Sequence, residues 1–252
     1  MKLKILGSSS KGNCYILSTP TGSLVLEAGL PWKQIQKGLN FDLGMIHACL
    51  LSHAHKDHSK SVDDLVKAGI DVYMTIGTWE EITGLEFDGR HKHRIMLVGD
   101  RCEDYISDFT ILPFATEHDD KEPVGYLIKY RPTGEKLLFI TDSYYCKYSF
   151  SGLNYIMIEC NYIKDTLDAN IEAGYIDGRM KPRLLQSHFS LDHVIDFLKA
   201  NDLSKCKEII LLHLSDANSD AARMVREIEA AVGIKPKVAE PGLEVELELN
   251  PY

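Results

Sequence analysis

His53-Ala54-His55-Lys56-Asp57-His58 places four metal-binding side chains within six residues. The stretch follows an apolar run at 46–51, so it reads as a loop leaving a buried strand, held still enough to preorganise ligands. His53 and His55 are two apart and on an extended segment point the same way. Asp57 and His58 then turn the corner and can address a second ion. Imidazole with carboxylate suits zinc, manganese or iron, not calcium.

Outward from this stretch, short β-type runs at 2–6, 14–18, 23–27, 46–51 and 71–74 alternate with helical patterns at 32–39, 59–68 and 78–82. Gly69 is the expected stop of the second helix. A second β-rich block begins near Arg94, with strands at 94–98, 109–115, 124–130, 136–140 and 155–158. An amphipathic helix over 191–199 takes Ser190 as its N-cap. A fully apolar strand follows at 209–212, then a helix over 218–232 and a closing strand over 243–249. Each half holds a turn on Pro-Thr-Gly (20–22 and 132–134), and the strand after it ends in or near a carboxylate, Glu27 or Asp142. An old duplication and common turn chemistry explain this equally well. No linker divides the chain, so a single domain over residues 1–252 is expected, with two facing sheets and helices outside.

A chain of 252 residues can bury the core of one layered α/β domain. No apolar stretch approaches the ~20 residues of a membrane span, and the N-terminus reads as a strand, not a signal peptide. Six cysteines without a C-x-x-C pair predict reduced core thiols in a cytoplasmic protein. The formal charge of −9 argues against a surface that coats nucleic acid generally. It leaves an anionic substrate open, because bound cations would make the site locally positive. Two basic stretches, Arg90-His91-Lys92-His93-Arg94 and Arg179-Met180-Lys181-Pro182-Arg183, could assist.

Further ligands are expected where apolar strands end. His118 follows the strand at 109–115, Asp142 follows 136–140, and His213 follows 209–212. Together with the histidine loop they supply mixed nitrogen and oxygen coordination for two ions. His47, His91, His93 and His193 read as structural or loop residues. Among the cysteines, Cys160 is the one adjacent to a candidate site residue, Glu159.

This order of motifs, H-x-H-x-D-H, a distal His, a distal Asp and a final His, resembles the metallo-β-lactamase-fold superfamily over nearly the whole chain. The resemblance implies an αββα sandwich, an α/β fold of two facing mixed sheets. It also implies that His53, His55 and His118 hold one divalent ion, Asp57, His58 and His213 the other, and that Asp142 bridges them. Zinc is the first expectation, with manganese or iron as alternatives. Two cations roughly 3.5–4 Å apart can share a water and lower its pKa, giving a bridging hydroxide as nucleophile. Asp57 could both ligate a metal and accept the proton.

Two elements narrow the class. Glu159-Cys160-Asn161-Tyr162 and Ser187-His188-Phe189-Ser190 resemble the Glu and His elements of the phosphodiesterase branch, including tRNase Z-like enzymes. By that resemblance His188 would donate a hydrogen bond or proton to the phosphoryl oxygens or leaving group, and Glu159 would fix its tautomer. Gly7-Ser8-Ser9-Ser10-Lys11-Gly12-Asn13-Cys14, with the run from His188 to His213, is similar to the small bacterial YycJ/WalJ-like exonucleases of the superfamily. The resemblance implies a hydrolase that cleaves DNA, RNA or a small phosphodiester. The alternatives are a carbon-centre hydrolase (a thioesterase, lactonase or β-lactamase-like enzyme) and an inactive metal-binding interaction protein.

The chain departs from the family at Glu27, where Asp is usual, which bears on loop geometry more than on metal binding. An inserted β-CASP domain and the long arm of many tRNase Z-like enzymes are not evident. The loop at 8–13 could offer backbone N–H groups to a phosphate. It is no P-loop, because Asn13 and Cys14 stand where Lys and Ser/Thr are needed.

Overall fold

Lysines alternate with Leu3 and Ile5 at the start of the chain, which puts every second side chain on one face of a strand. In the computed structural model, which describes residues 1–83 and 89–248, Leu3 and Ile5 are fully buried in β1 (Lys2–Gly7). β2 (Cys14–Thr19), β3 (Gly22–Leu26), α1 (Trp32–Gly38) and β4 (Ile46–Leu50) follow. Next come α2 (Lys56–Ser59), α3 (Val62–Lys67), β5 (Val72–Met74), α4 (Ile76–Thr83) and β6 (Ile95–Leu97). β7 (Asp104–Ile106), β8 (Phe109–Ala115), β9 (Val124–Tyr130), β10 (Glu135–Ile140) and β11 (Tyr155–Glu159) lead to α5 (Lys164–Glu172) and α6 (Lys181–Leu185). The chain closes with α7 (Leu191–Lys199), β12 (Glu208–Leu212), α8 (Ala221–Val232), β13 (Lys237–Val238) and β14 (Glu244–Glu246). Among the described residues the strands make two mixed sheets of seven each. Two mixed sheets with helices are the fold class expected from the sequence.

Two compact units are distinguished. The first comprises Met1–Ala115, Asp120–Gly134 and Glu240–Tyr252. It holds one sheet entire, in the order β14-β1-β2-β3-β4-β5-β6. Pairing is antiparallel from β14 to β3 and parallel from β3 to β6. Because β3 and β4 run parallel with Leu26 opposite Leu50, both strands end at one edge. Glu27 and the histidine loop therefore leave the sheet side by side. Helices α1 and α3 cover a core in which Ile35, Leu65 and Val66 meet Val25, Cys49 and Val72. The antiparallel strands β7, β8 and β9 belong to this unit too. The buried Tyr126 hydroxyl donates to the Leu51 carbonyl at 2.7 Å, fixing the strand end from which the histidines project.

The second unit comprises Thr116–Asp119 and Glu135–Ala239. Its strands run β13-β12-β11-β10, all parallel. Burial on both faces explains why they read as continuous apolar runs without alternation. Residues 137–140, 155–158 and 209–212 are all buried. Ser190 caps α7 by accepting from the His193 N–H. Asp220 caps α8, and Gly233, at φ 75°, ends it in the left-handed region.

Differences from the sequence-based expectation have local causes. The helix expected over 59–68 starts at Lys56 and is interrupted. The Ser61 N–H donates to the Ala28 carbonyl at 2.9 Å and its hydroxyl to the Leu30 carbonyl at 2.7 Å, tying the break to the loop after β3. The helix expected over 218–232 begins at Ala221, because Asp220 serves as its cap. β7, α5, α6 and β13 were not expected. Leu249, the expected end of the last strand, lies outside the described residues. No helix among the described residues is long and apolar enough to cross a membrane.

Leu211 lies in β12 with no exposure. Leu211→Ala is expected to lower stability by about 2–5 kcal/mol, read as a lower midpoint in urea denaturation with an unchanged slope.

Candidate metal centre

In the first unit the histidine loop folds tightly on itself. The His53 ring lies 4.8 Å from that of His55 and 4.1 Å from that of His58, centre to centre. Asp57 and His58 sit in α2, for which His55 is the N-cap. Four neighbours hold the loop. The Asn13 N–H donates to the Asp57 carbonyl at 2.8 Å, and the Asn13 amide lies 3.4 Å from Asp57 Oδ2 and 3.0 Å from His58 Nε2. The Ala28 N–H donates to the His58 carbonyl at 2.7 Å. The Ala54 N–H donates to Asp120 Oδ2 at 2.9 Å. Gly29 is the closest of these, since a Cβ built on it would lie 1.6 Å from the Asp57 carbonyl oxygen.

Glu27 shows what the exchange of Asp for Glu does. It is fully buried, with φ 63°. One carboxylate oxygen accepts from the Ser52 N–H at 3.2 Å, and the other lies 3.4 Å from His58 Nδ1. The longer side chain thus reaches both the end of β4 and the ring of His58. In the loop at 8–13 three backbone N–H groups are committed within the protein. The Lys11 N–H goes to the Ser9 hydroxyl, that of Gly12 to the Ser9 carbonyl and that of Asn13 to Asp57.

In the second unit the parallel strands end together, with Ile140 opposite Ile158 and Glu159 opposite Leu212. Asp142, Glu159 and His213 accordingly emerge at one edge, at the C-terminal ends of parallel strands, the usual place for a site in α/β sheets. Asp142 (φ 36°) and His213 (φ 51°) both take left-handed backbone, a conformation that costs a side-chain-bearing residue energy and clusters at functional sites. One ligand-type atom from each of Asp142, Glu159, His188 and His213 lies within 4.8 Å of the others.

Glu159 organises this cluster. It is fully buried and lies 2.6 Å from His188 Nδ1 and 3.2 Å from His213 Nδ1. It also accepts from the N–H groups of Ser143 and Phe189, both at 3.1 Å. Burial alone would push its carboxyl up. The His188 charge and the hydrogen bonds from His188 and His213 outweigh that and hold it below the ordinary range. Burial likewise opposes protonation of His188, but the carboxylates of Glu159 and Asp142 raise its pKa above the ordinary value.

His118 belongs to the same unit. Its Nδ1 lies 2.8 Å from the Ser187 carbonyl, which can only accept, so Nδ1 carries the proton and Nε2 the lone pair. Ser143 ties this segment down, accepting from the Glu117 N–H at 3.0 Å. His213 and His58 follow the same logic, since each faces a carboxylate through Nδ1. Metal-binding histidines characteristically give one ring N–H to a carbonyl or carboxylate and keep the other nitrogen for the ion. The donor set, imidazoles with carboxylates, fits a divalent transition ion.

Asn13, Gly29, Ser143 and Asn161, whose amide donates to the His213 carbonyl at 2.8 Å, are positioning residues that the sequence reading missed. The glycine two residues after Glu27 was the one local hint. Cys160 is buried, and burial followed by the Glu159 charge pushes its thiol far up, so it stays protonated. Basic side chains at 179–183 are largely committed, Arg179 to Asp177, Lys181 to Asp168 and Arg183 to Asp119. Arg94 likewise pairs with Asp71.

Comparison with known proteins agrees with this geometry. Residues 30–214 match the beta-lactamase superfamily domain, and the chain belongs to that family. It is 27% identical to the exodeoxyribonuclease WalJ of Streptococcus pneumoniae over 86% of this chain and 83% of the relative. It is also 27% identical to the exodeoxyribonuclease YycJ of Bacillus anthracis, over 89% and 87%. Among solved structures, Zn(2+)-bound PqqB from Methylobacterium extorquens has a TM-score of 0.72 at 16% identity, covering 98% of this chain and all of that one. The metallo-beta-lactamase fold protein YhfI from Bacillus subtilis has a TM-score of 0.71 at 17% identity, covering 97% and 99%. The short form of human tRNase Z has a TM-score of 0.63 at 14% identity, covering 98% and 100%. These last three likenesses establish the fold.

Gly29→Ala is expected to displace the Asp57 backbone and weaken metal binding by about 10–100-fold, the range for a support behind a ligand. Metal titration followed by circular dichroism on the same samples checks it. Wild-type affinity in a folded variant would contradict the role given to Gly29.

Proposed function

We propose that this chain is a binuclear metal-dependent phosphodiesterase, acting as an exonuclease on DNA. The observation that carries this reading is the pairing of His188 with the buried Glu159 at 2.6 Å, beside Asp142 and His213. An imidazole held in this way suits cleavage of a phosphodiester, where it can neutralise the phosphoryl oxygens or protonate the leaving alkoxide. Relatives named as exodeoxyribonucleases cover most of the chain at 27% identity and support the same reading.

His53, His55 and His118 would hold one ion, and Asp57, His58 and His213 the other, with Asp142 between them. Zinc suits the imidazole-rich set, and manganese or iron suits it next best. In this reading residues 1–252 would form a single catalytic domain. When bound, the ions supply Lewis acidity toward the phosphate and acidify water.

The chain's own residues do the rest. The Glu159 carboxylate accepts a hydrogen bond from the Nδ1–H of His188 and so directs the Nε2–H away from the buried strand end, toward substrate. There it donates to a phosphoryl oxygen or to the departing 3′ or 5′ oxygen. Asp57 is the acceptor for the proton of the attacking water. Six cysteines without a disulfide fit a reducing, cytoplasmic setting.

Two measurements test the reading. The metal-loaded protein is expected to turn over bis(p-nitrophenyl) phosphate and end-labelled DNA. Hydrolysis of lactones or thioesters without phosphodiester cleavage would sink it. His188→Ala is expected to keep its metal content and lose roughly 10²–10⁴-fold in cleavage of DNA, whose alkoxide leaving group needs protonation. Unchanged cleavage would show that His188 only supports the fold.

A further inference from the structure

Beside the candidate centre, and within the second unit, lies a cavity of about 420 Å³, within the size range of small-molecule sites. One wall is the loop that follows Asp142, and the other is α7, which follows His188. Neither wall has a role in the chemistry proposed above.

The cavity has a layered chemistry. Its floor is Phe189 and Phe197, both buried, with ring centres 6.4 Å apart. Tyr145 lines the mouth and is 54% exposed, a large ring left in solvent on an otherwise structureless loop. Lys147 stands over the Tyr148 ring at 5.3 Å, a cation held at the rim by an aromatic face. The polar groups on the α7 side are acceptors. His193 Nδ1 lies 3.0 Å from the Tyr144 carbonyl, so Nδ1 donates and Nε2 carries the lone pair. Asp196, three residues along and on the same helix face, adds a carboxylate.

We propose that this cavity is a subsite for a nucleobase bearing an amino group, supplied by the substrate strand at or next to the cleaved phosphate. An aromatic floor and an exposed aromatic ring at the mouth suit a flat ring, because every base has a π-face to stack. The acceptors suit an exocyclic amine, as carboxylates accept from cytosine N4. Lys147 suits the neighbouring phosphate. Tyr145 is three residues from Asp142, at most about 11 Å of extended chain, which keeps the mouth of the cavity within reach of a nucleotide whose phosphate lies at the centre. A base reaches such a pocket only when unstacked, which costs least at a strand end. This inference rests on the phosphodiesterase reading for its substrate.

Binding and cleavage are therefore measured separately, on the full chain. Calorimetry with deoxycytidine monophosphate, thymidine monophosphate and deoxyribose 5-phosphate reports on the pocket alone. Tyr145→Ala, at an exposed position, is expected to weaken deoxycytidine monophosphate binding about tenfold. Asp196→Asn is expected to weaken it while sparing thymidine monophosphate. In cleavage, the ratio of kcat/KM for a base-bearing end over an abasic end is expected to fall about tenfold in Tyr145→Ala. Equal binding of deoxyribose 5-phosphate and the nucleotides, or a ratio unmoved by Tyr145→Ala, would overturn the subsite while leaving the phosphodiesterase reading intact. Base-dependent binding without any phosphodiester cleavage would support the pocket and refute that reading.

Discussion

A carboxylate with no solvent exposure must be surrounded by donors or neutralised, because an unpaired buried charge costs several kcal/mol. Glu159 at the end of β11 meets that requirement with two backbone N–H groups and two imidazoles. Satisfying it draws in the loop after β10, the turn before α7 and the residue after β12. These are the segments that carry Asp142, His188 and His213. The cluster is the solution to a solvation problem, and its chemistry follows from that solution.

The first unit solves the same problem with fewer parts. Glu27, also fully buried, takes the Ser52 N–H and faces the ring of His58. In both units the key residue follows a strand in left-handed backbone, Glu27 in one and Asp142 and His213 in the other. Such conformations persist only where the surroundings over-determine them. Here the parallel register does so, since it brings adjacent strand ends to one edge and leaves the chain little room to turn. The shared grammar of a turn on Pro-Thr-Gly, a strand and a carboxylate thus has a counterpart in backbone geometry.

Much of this was legible from sequence because the relevant signals are local. Apolar runs bounded by turn residues located β8 and β9 to the residue, and the cap at Ser190 located α7. The ligand-type residues stood out because they end such runs. Elements that gain their order from distant contacts were not legible. β7 and β13 are two or three residues long and carry no periodicity. α5 buries only Leu167, so its pattern is that of a polar loop. Asn13 and Gly29 act on Asp57 from sequence-distant positions, and only the folded chain shows that Gly29 has no room for a Cβ. His193 reads as an ordinary helix residue until the loop at 144–149 is laid beside it.

The double duty of Glu159 is the central claim, and one substitution isolates it. Glu159→Gln keeps the shape and removes the charge that serves both His188 and His213. The measurement is metal affinity and DNA cleavage on the same preparation. The account predicts that both fall, affinity by about 10–100-fold as for other carboxylates behind a ligating histidine, and cleavage even when metal is restored in excess. A variant that binds metal and cuts DNA as the wild type does would contradict it.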